Sequence, residues 1–396
     1  MSVKLLFLSY DLPYPPNSGG KIRSFNLLTN LAKKIDVTLY SYYRSDEQLD
    51  QIKELKKICS EVKCFKRNNP WEIKNFIRSI STFKPYMTSL YYQSGLEKQL
   101  TVDLQINKFN YVHFESFYPA LFLPLVKKFG IPVILGNENV EYKVYDRFAD
   151  QKNFFLKPFF KAEVLRMKKF EESLWRSADL NLAISDYDAV SINQFAKQKS
   201  LIIPNGVNTQ TFKKHLGSKT GNNLIFIGSL SYKANADAAK YLLEEIFPLI
   251  KKSLPKIILT IISWYKPNWL EKYLNDPQFK LNQDRNQHPT DFLVNSDIYL
   301  APMRIASGTN IKILEAMAGQ LPVITTSIGI EGIKAGKNDA VVVDGAKEFA
   351  EKVVELINSP EKRKLIGQSG YNLVSRFYEW SKITQPLVQY YLKKYV

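Results

Sequence analysis

Short runs of β-branched and aromatic residues alternate with longer mixed stretches along most of the chain. An unbroken apolar run of four to six residues suits a strand buried on both faces. A longer stretch with apolar residues three and four apart suits a helix packed by one face. The pattern predicts strands at 4–9, 36–42, 61–65, 111–114, 133–136, 180–184 and 200–203. Helices are predicted between them at 21–34, 46–59, 70–83, 93–107, 119–129 and 158–176. The stretch 213–223 carries Lys213, Lys214 and Lys219 with Gly217 and Gly221 and almost nothing apolar, so it reads as an interdomain linker. The alternation then resumes, with strands at 224–227, 257–262, 298–301, 322–325 and 340–343. Helices follow at 236–253, 268–274, 290–295, 310–318, 346–357 and 360–377, with a last apolar helix at 383–395. Such alternation builds βαβ units on parallel sheets, so the expected fold class is α/β with two Rossmann-like halves. Two such halves are expected to face a central cleft, with ligands beyond the carboxyl ends of the strands.

Composition narrows this picture. At 396 residues and 45% hydrophobic, the chain has material for two cores. No run approaches the roughly 20 apolar residues of a membrane-crossing helix; the richest, 117–126, is short and holds Pro119 and Pro124. The amino terminus lacks the long apolar region and cleavage site of a signal peptide, so a cytoplasmic protein is expected. With Cys59 and Cys64 the only cysteines and His113, His215 and His288 the only histidines, neither a disulfide framework nor a metal site is expected. The Pro-rich loop after the first strand lacks a G-x-G-x-x-G order, so no dinucleotide cofactor is expected either.

The net charge of +17 calls for an anionic partner or a lysine-rich solvated surface. No helix-turn-helix, zinc-finger or RNP-like pattern is present, which argues against nucleic acid. Basic and aromatic residues interleave at 152–161, followed by Arg166, Lys168 and Lys169, and 71–92 has a similar character. Both stretches suit either a peripheral contact with an anionic membrane face or amphipathic core helices with a solvated side.

The strongest chemical signal follows the strand at 298–301. A loop ending in Ser307, Gly308 and Thr309 leads into a helix that Asn310 or Thr309 can cap. Unpaired N–H groups and the helix dipole favour an anion there. Lys312 and Glu315 share a face, the lysine suited to a phosphate and the glutamate to ribose hydroxyls. Spacing alone also fits an ordinary helix with an i,i+3 ion pair.

The run Gly308-Thr309-Asn310-Ile311-Lys312-Ile313-Leu314-Glu315-Ala316 with its flanks resembles the donor-binding segment of family 4 glycosyltransferases, which have the GT-B fold and retain anomeric configuration. Four further pieces match in order. Tyr14 to Arg23, with Gly19-Gly20, resembles the family's glycine-rich loop, and Glu138-Asn139-Val140-Glu141-Tyr142 resembles a stretch of one branch. Ile203-Pro204-Asn205-Gly206-Val207-Asn208 and Phe226-Ile227-Gly228-Ser229-Leu230 resemble the signatures that close the first domain and open the second. The resemblance implies an acceptor-side domain at 1–212, a nucleotide-sugar domain at 213–377, and a helix at 378–396 returning to the first. It implies transfer of a sugar from a nucleotide diphosphate sugar to a glycan or lipid-linked acceptor, without metal, in surface polysaccharide or glycolipid synthesis.

By this resemblance Glu315 holds the ribose, and Gly308, Thr309 and Asn310 hold the diphosphate. Gly228 and Lys233 border the donor, while Gly19, Gly20 and Arg23 close over its phosphates. The sequence also departs from the pattern. Ser307 stands for a second glutamate, Ser229 for an arginine and Ala234 for a lysine, as in a branch tied to exopolysaccharide synthesis. The positive charge then falls to Lys312, with Lys233 and Arg304 behind it. Glu115 stands near the family's first-domain histidine and is the candidate to orient or deprotonate the acceptor, with Glu138 and Glu141 nearby. His113 alternates inward on its strand and reads as core. The departures also motivate a non-catalytic, sugar- or partner-binding relative, and the fold equally admits epimerisation or phosphorolysis.

Overall fold

The computed structural model describes residues 2–150, 153–213, 221–284, 289–305 and 309–393. It divides into two compact units, Met1–Pro204 with Thr384–Val396, and Asn205–Ile383. Each is built on one parallel sheet whose central strands are apolar runs buried from both sides, as the unbroken hydrophobic pattern requires.

In the first unit the strands are β1 (Lys4–Ser9), β2 (Asp36–Tyr43), β3 (Glu61–Lys66), β4 (Tyr111–Glu115), β5 (Val133–Gly136), β6 (Leu180–Ala183) and β7 (Leu201–Ile202). They lie in the order β3-β2-β1-β4-β5-β6-β7. The helices that bear on function are α1 (Gly19–Leu31), α2 (Ile73–Thr82), α3 (Glu141–Asp150) and α4 (Lys157–Ser177).

The second unit's strands are β8 (Asn223–Ile227), β9 (Ile258–Ile262), β10 (Phe279–Asn282), β11 (Ile298–Ala301), β12 (Val323–Thr325) and β13 (Val341–Val342), ordered β10-β9-β8-β11-β12-β13. Its helices include α5 (Lys233–Tyr241), α6 (Ile311–Ala318), α7 (Ala346–Ile357) and α8 (Pro360–Phe377). A last helix, α9 (Gln385–Leu392), belongs to the first unit and buries Leu387 and Tyr391 there.

The expected linker lies largely outside the described residues, at 214–220. The contact-defined division falls earlier, at Pro204/Asn205. Val207 donates to the Tyr378 carbonyl at 2.8 Å, and Glu379 accepts from the Thr209 backbone at 2.9 Å and its hydroxyl at 2.6 Å. Phe212 joins the second core, so residues 205–212 are bound into the second unit before the polar stretch begins. Among the described residues no helix is long and apolar enough to cross a membrane.

Candidate donor and acceptor sites

In each sheet the winding direction reverses once, between β1 and β4 in the first unit and between β8 and β11 in the second. At such a switch point the two neighbouring connections leave in opposite directions and open a crevice at the strands' carboxyl ends. The candidate residues gather at these two places.

In the second unit β11 leads toward α6. Residues 306–308, including Ser307 and the expected phosphate contact Gly308, lie outside the described residues. Asn310 has an extended backbone, and its side chain accepts the Lys312 N–H at 3.1 Å, which caps the helix. Thr309 is buried, its hydroxyl donating to the Gly332 carbonyl at 3.4 Å. The apolar positions of α6 are buried, while Lys312 and Glu315 stay partly exposed on one face with Nζ and Oε2 2.8 Å apart. The helix start thus offers N–H groups, a dipole, one cation and one carboxylate within a single turn.

The β8 side contributes less charge than the resemblance implied. An added Cβ at Gly228 would lie 2.8 Å from the Asn235 side chain, so a side chain here would displace the first turn of α5. Lys233 opens α5 and is exposed, whereas Ala234 is buried and apolar. Arg304 is already engaged by Asp237, at 3.0 and 2.8 Å from Nε and Nη2, and by Glu245 at 3.6 Å. Its charge is balanced by its own acids, which removes it from the candidate list.

In the first unit Glu115 ends β4. Its carboxylate is fully buried, accepting from Arg23 Nε at 2.6 Å and facing His113 Nε2 at 2.7 Å. A carboxylate can only accept, so His113 donates through Nε2, and Nδ1 accepts from the Tyr391 hydroxyl at 2.8 Å. Burial alone would raise the Glu115 carboxyl, but Arg23 and His113 hold it below the ordinary value. These contacts bear on two expectations. Glu115 is buried with both oxygens engaged, one by Arg23 and one by His113. Arg23 is buried with it and also donates to the Ile203 carbonyl at 2.8 Å. Both are positioning residues that tie β4 and α1 to the segment after β7.

A different buried carboxylate keeps one oxygen unengaged. Glu138 follows β5, hydrogen-bonded to Tyr10, and among the described residues its Oε1 has no hydrogen-bond partner. Burial, with Glu115 adding to it and Arg23 opposing, pushes this carboxyl up to about 8. Gly19 and Gly20 form the first turn of α1, and Gly20 touches this group: a Cβ on it would fall 1.9 Å from the Tyr10 hydroxyl and 2.9 Å from Glu138 Oε2. Only glycine lets the helix start come this close. Glu141 accepts from the Tyr118 hydroxyl at 3.2 Å, and burial raises it to about 7. Glu171 reaches over from α4 and accepts the N–H groups of Glu141 and Tyr142 at 2.9 and 3.0 Å, capping α3 from another helix. Tyr10, Glu171 and Tyr391 were not foreseen, because each acts on a residue far away in the sequence.

The raised Glu138 carboxyl has a consequence for stability. Its folded value lies above the unfolded one, so the folded chain keeps a proton that the unfolded chain loses. Stability then falls as pH rises from about 4.3 toward 8, by at most about 1.4 kcal/mol per pH unit from this group. Glu138→Gln mimics the protonated acid, so it should leave the unfolding midpoint near pH 4 unchanged and raise it at pH 8.5. Parallel midpoint–pH curves for the two proteins would show that Glu138 is not buried as described.

Comparison with known proteins agrees with this geometry. Residues 221–359 match the family model described as "Glycosyl transferases group 1". An uncharacterised 44.6 kDa protein in the cps region of Klebsiella pneumoniae is 24% identical over 397 residues, covering 96% of this chain and 97% of that one. The structure of sucrose-phosphate synthase from Thermosynechococcus elongatus superposes with a TM-score of 0.70 at 13% identity, covering 99% of both chains. That of HepE from Anabaena in complex with UDP-glucose gives 0.68 at 12% identity, again over 99% of both. The second unit thus matches the group 1 glycosyltransferases, and the chain as a whole shares with these solved structures the GT-B fold of two Rossmann-like sheets.

Proposed function

We propose that the chain moves a sugar, with retention of configuration, from a nucleotide diphosphate sugar to a glycan or lipid-linked acceptor of a surface polysaccharide or glycolipid. The observation that carries this reading is the start of α6. There the Asn310 cap, the free helix dipole and the Lys312–Glu315 face offer one anion site and one hydroxyl acceptor a single turn apart. The diphosphate takes the N–H groups at Thr309–Ile311 and Lys312, and the ribose takes Glu315. The sugar C1–O bond breaks with its electron pair going to the diphosphate, and the acceptor oxygen bonds to C1. On the first unit, the ionised form of Glu138 is the group suited to receive the acceptor's proton. The likeness to the cps-region relative supports a polysaccharide or glycolipid product, and the likeness to HepE makes UDP-glucose the first donor to try.

A second reading has its own observation. Ala234 is apolar and buried and Arg304 is neutralised, which leaves a donor site poor in charge. A chain that binds nucleotide sugars without cleaving them would look like this. One experiment separates the two: a panel of nucleotide sugars is screened by thermal unfolding, and nucleoside diphosphate release is then followed. A bound ligand at about 100 times its Kd adds about 2.7 kcal/mol of stability, a shift of several degrees. Stabilisation with release supports transfer, and stabilisation without release under any acceptor supports the binding protein. No shift with any nucleotide sugar would overturn both.

A further inference from the structure

Helix α2 is built inside out. Its buried residues are the polar Asn75 and Ser79, while Ile73, Phe76, Ile77 and Ile80 recur three and four apart on the solvent side. Trp71 before the helix is 86% exposed, and Phe83 after it 82%. A helix folding only for a water-soluble surface puts these faces the other way. Phe154, Phe155 and Phe159 at the start of α4 are equally bare, at 85%, 81% and 76%. The two stretches are fastened together. Arg166 of α4 donates to the carbonyls of Ser79 and Lys84, both at 2.6 Å, and Glu163 accepts the Tyr86 N–H.

The charge of these stretches is mostly positive, although Lys157 and Lys161 pair with Asp150 and Asp146. Segment 66–92 carries Lys66, Arg67, Lys74, Arg78 and Lys84 against the single acid Glu72, and segment 153–170 has Glu163 as its only acid among five cations. Beside Trp71 opens a cleft of about 520 Å³, lined by the four cations Arg44, Lys66, Arg67 and Lys74 against the one acid Glu72, which pairs with Lys74 at 2.6 Å. Like charges on both faces oppose pairing with a second copy, whereas an anionic bilayer meets both features at once: acyl chains for the apolar ridge and phosphates for the cations.

We propose that this face of the first unit lies on an anionic lipid surface, with α2 and residues 154–159 entering the headgroup boundary and a lipid phosphate in the Arg44–Lys66–Arg67–Lys74 cleft. The placement is independent of whether the chain transfers sugar, so it can fail or hold separately from the proposed activity.

The test is co-sedimentation of the full chain with phosphatidylglycerol vesicles and with phosphatidylcholine vesicles at about 0.1 M salt. Binding should favour the anionic vesicles by tenfold or more and weaken as salt rises. Ile77→Asp with Ile80→Asp should reduce it at least tenfold. Lys66→Gln with Lys74→Gln should reduce it by about fivefold per charge removed, following the roughly 1 kcal/mol each contributes near such a surface. Because all four positions are exposed, the variants should keep the parent's unfolding midpoint. Equal binding to both vesicle types, or no binding to either, would overturn the proposal. So would binding of inorganic phosphate to the cleft without vesicle binding. A dimer in sedimentation equilibrium that the aspartates dissociate would assign the ridge to a second copy instead.

Discussion

Arg23→Ala should lower the stability of the first unit by about 3–5 kcal/mol, the largest structural effect expected of any single change here. The number comes from what is left behind. Arg23 and Glu115 are 1% and 0% exposed and lie 2.6 Å apart, so removing the guanidinium strands a carboxylate that no water reaches. His113 stays as its partner at 2.7 Å, but that ring is held from its other side by Tyr391. Replacing both ions, as Arg23→Met with Glu115→Gln, should cost much less than the single change, because no uncompensated charge remains. Acid gives a second check. Glu115 is held below its ordinary value in the fold, so the pair's stabilisation is present above the unfolded value of about 4.3 and lost as pH falls through the folded one. The deficit of Arg23→Ala should therefore shrink at low pH. Urea titrations of the single and double variants at pH 7 and pH 3.5 measure all of this. A single-variant cost under about 1 kcal/mol would mean that water reaches the pair.

The buried ion pair also marks where sequence stops informing. Strands such as β1, β5 and β11 were legible because an apolar run buried on both faces has no other stable placement. Strand β10 was missed: it is an edge strand with only β9 beside it, and Phe279-Lys280-Leu281-Asn282 carries half the apolar content of a central one. Helix α3 was missed because its first N–H groups are held by Glu171, thirty residues away. At the donor side the Asn310 cap and the shared face of Lys312 and Glu315 followed from spacing within one turn. On the acceptor side the strand-end position of Glu115 was visible, but its burial was not. Burial there depends on Arg23, ninety-two positions earlier, and on Tyr391 from the far end of the chain. The same distances hid Glu138 as the buried carboxylate with an unengaged oxygen, because its environment is made by Tyr10 and Gly20.

Lys312→Ala should reduce nucleotide-sugar turnover by about 10²–10³-fold, mainly in kcat, because the charge it neutralises grows as the diphosphate departs. The family's usual cations are absent at Ser229 and Ala234, and Arg304 is spent on Asp237. That leaves the α6 dipole, Lys312 and the exposed Lys233. In the free chain Lys312 rests on Glu315 at 2.8 Å, so in the proposed reaction the donor exchanges that ion pair for a phosphate, while Glu315 turns to the ribose. Glu315→Ala should therefore act differently: it removes a contact made equally before and during the reaction, and should raise KM more than it lowers kcat. Lys312→Arg keeps the charge but changes its reach, and should fall between the parent and Lys312→Ala. Steady-state kinetics on the purified variants distinguishes these outcomes. If Lys312→Ala keeps more than about a tenth of the parent kcat, about 1.4 kcal/mol or less in the barrier, the assignment moves to Lys233, and Lys233→Ala should then show the larger loss.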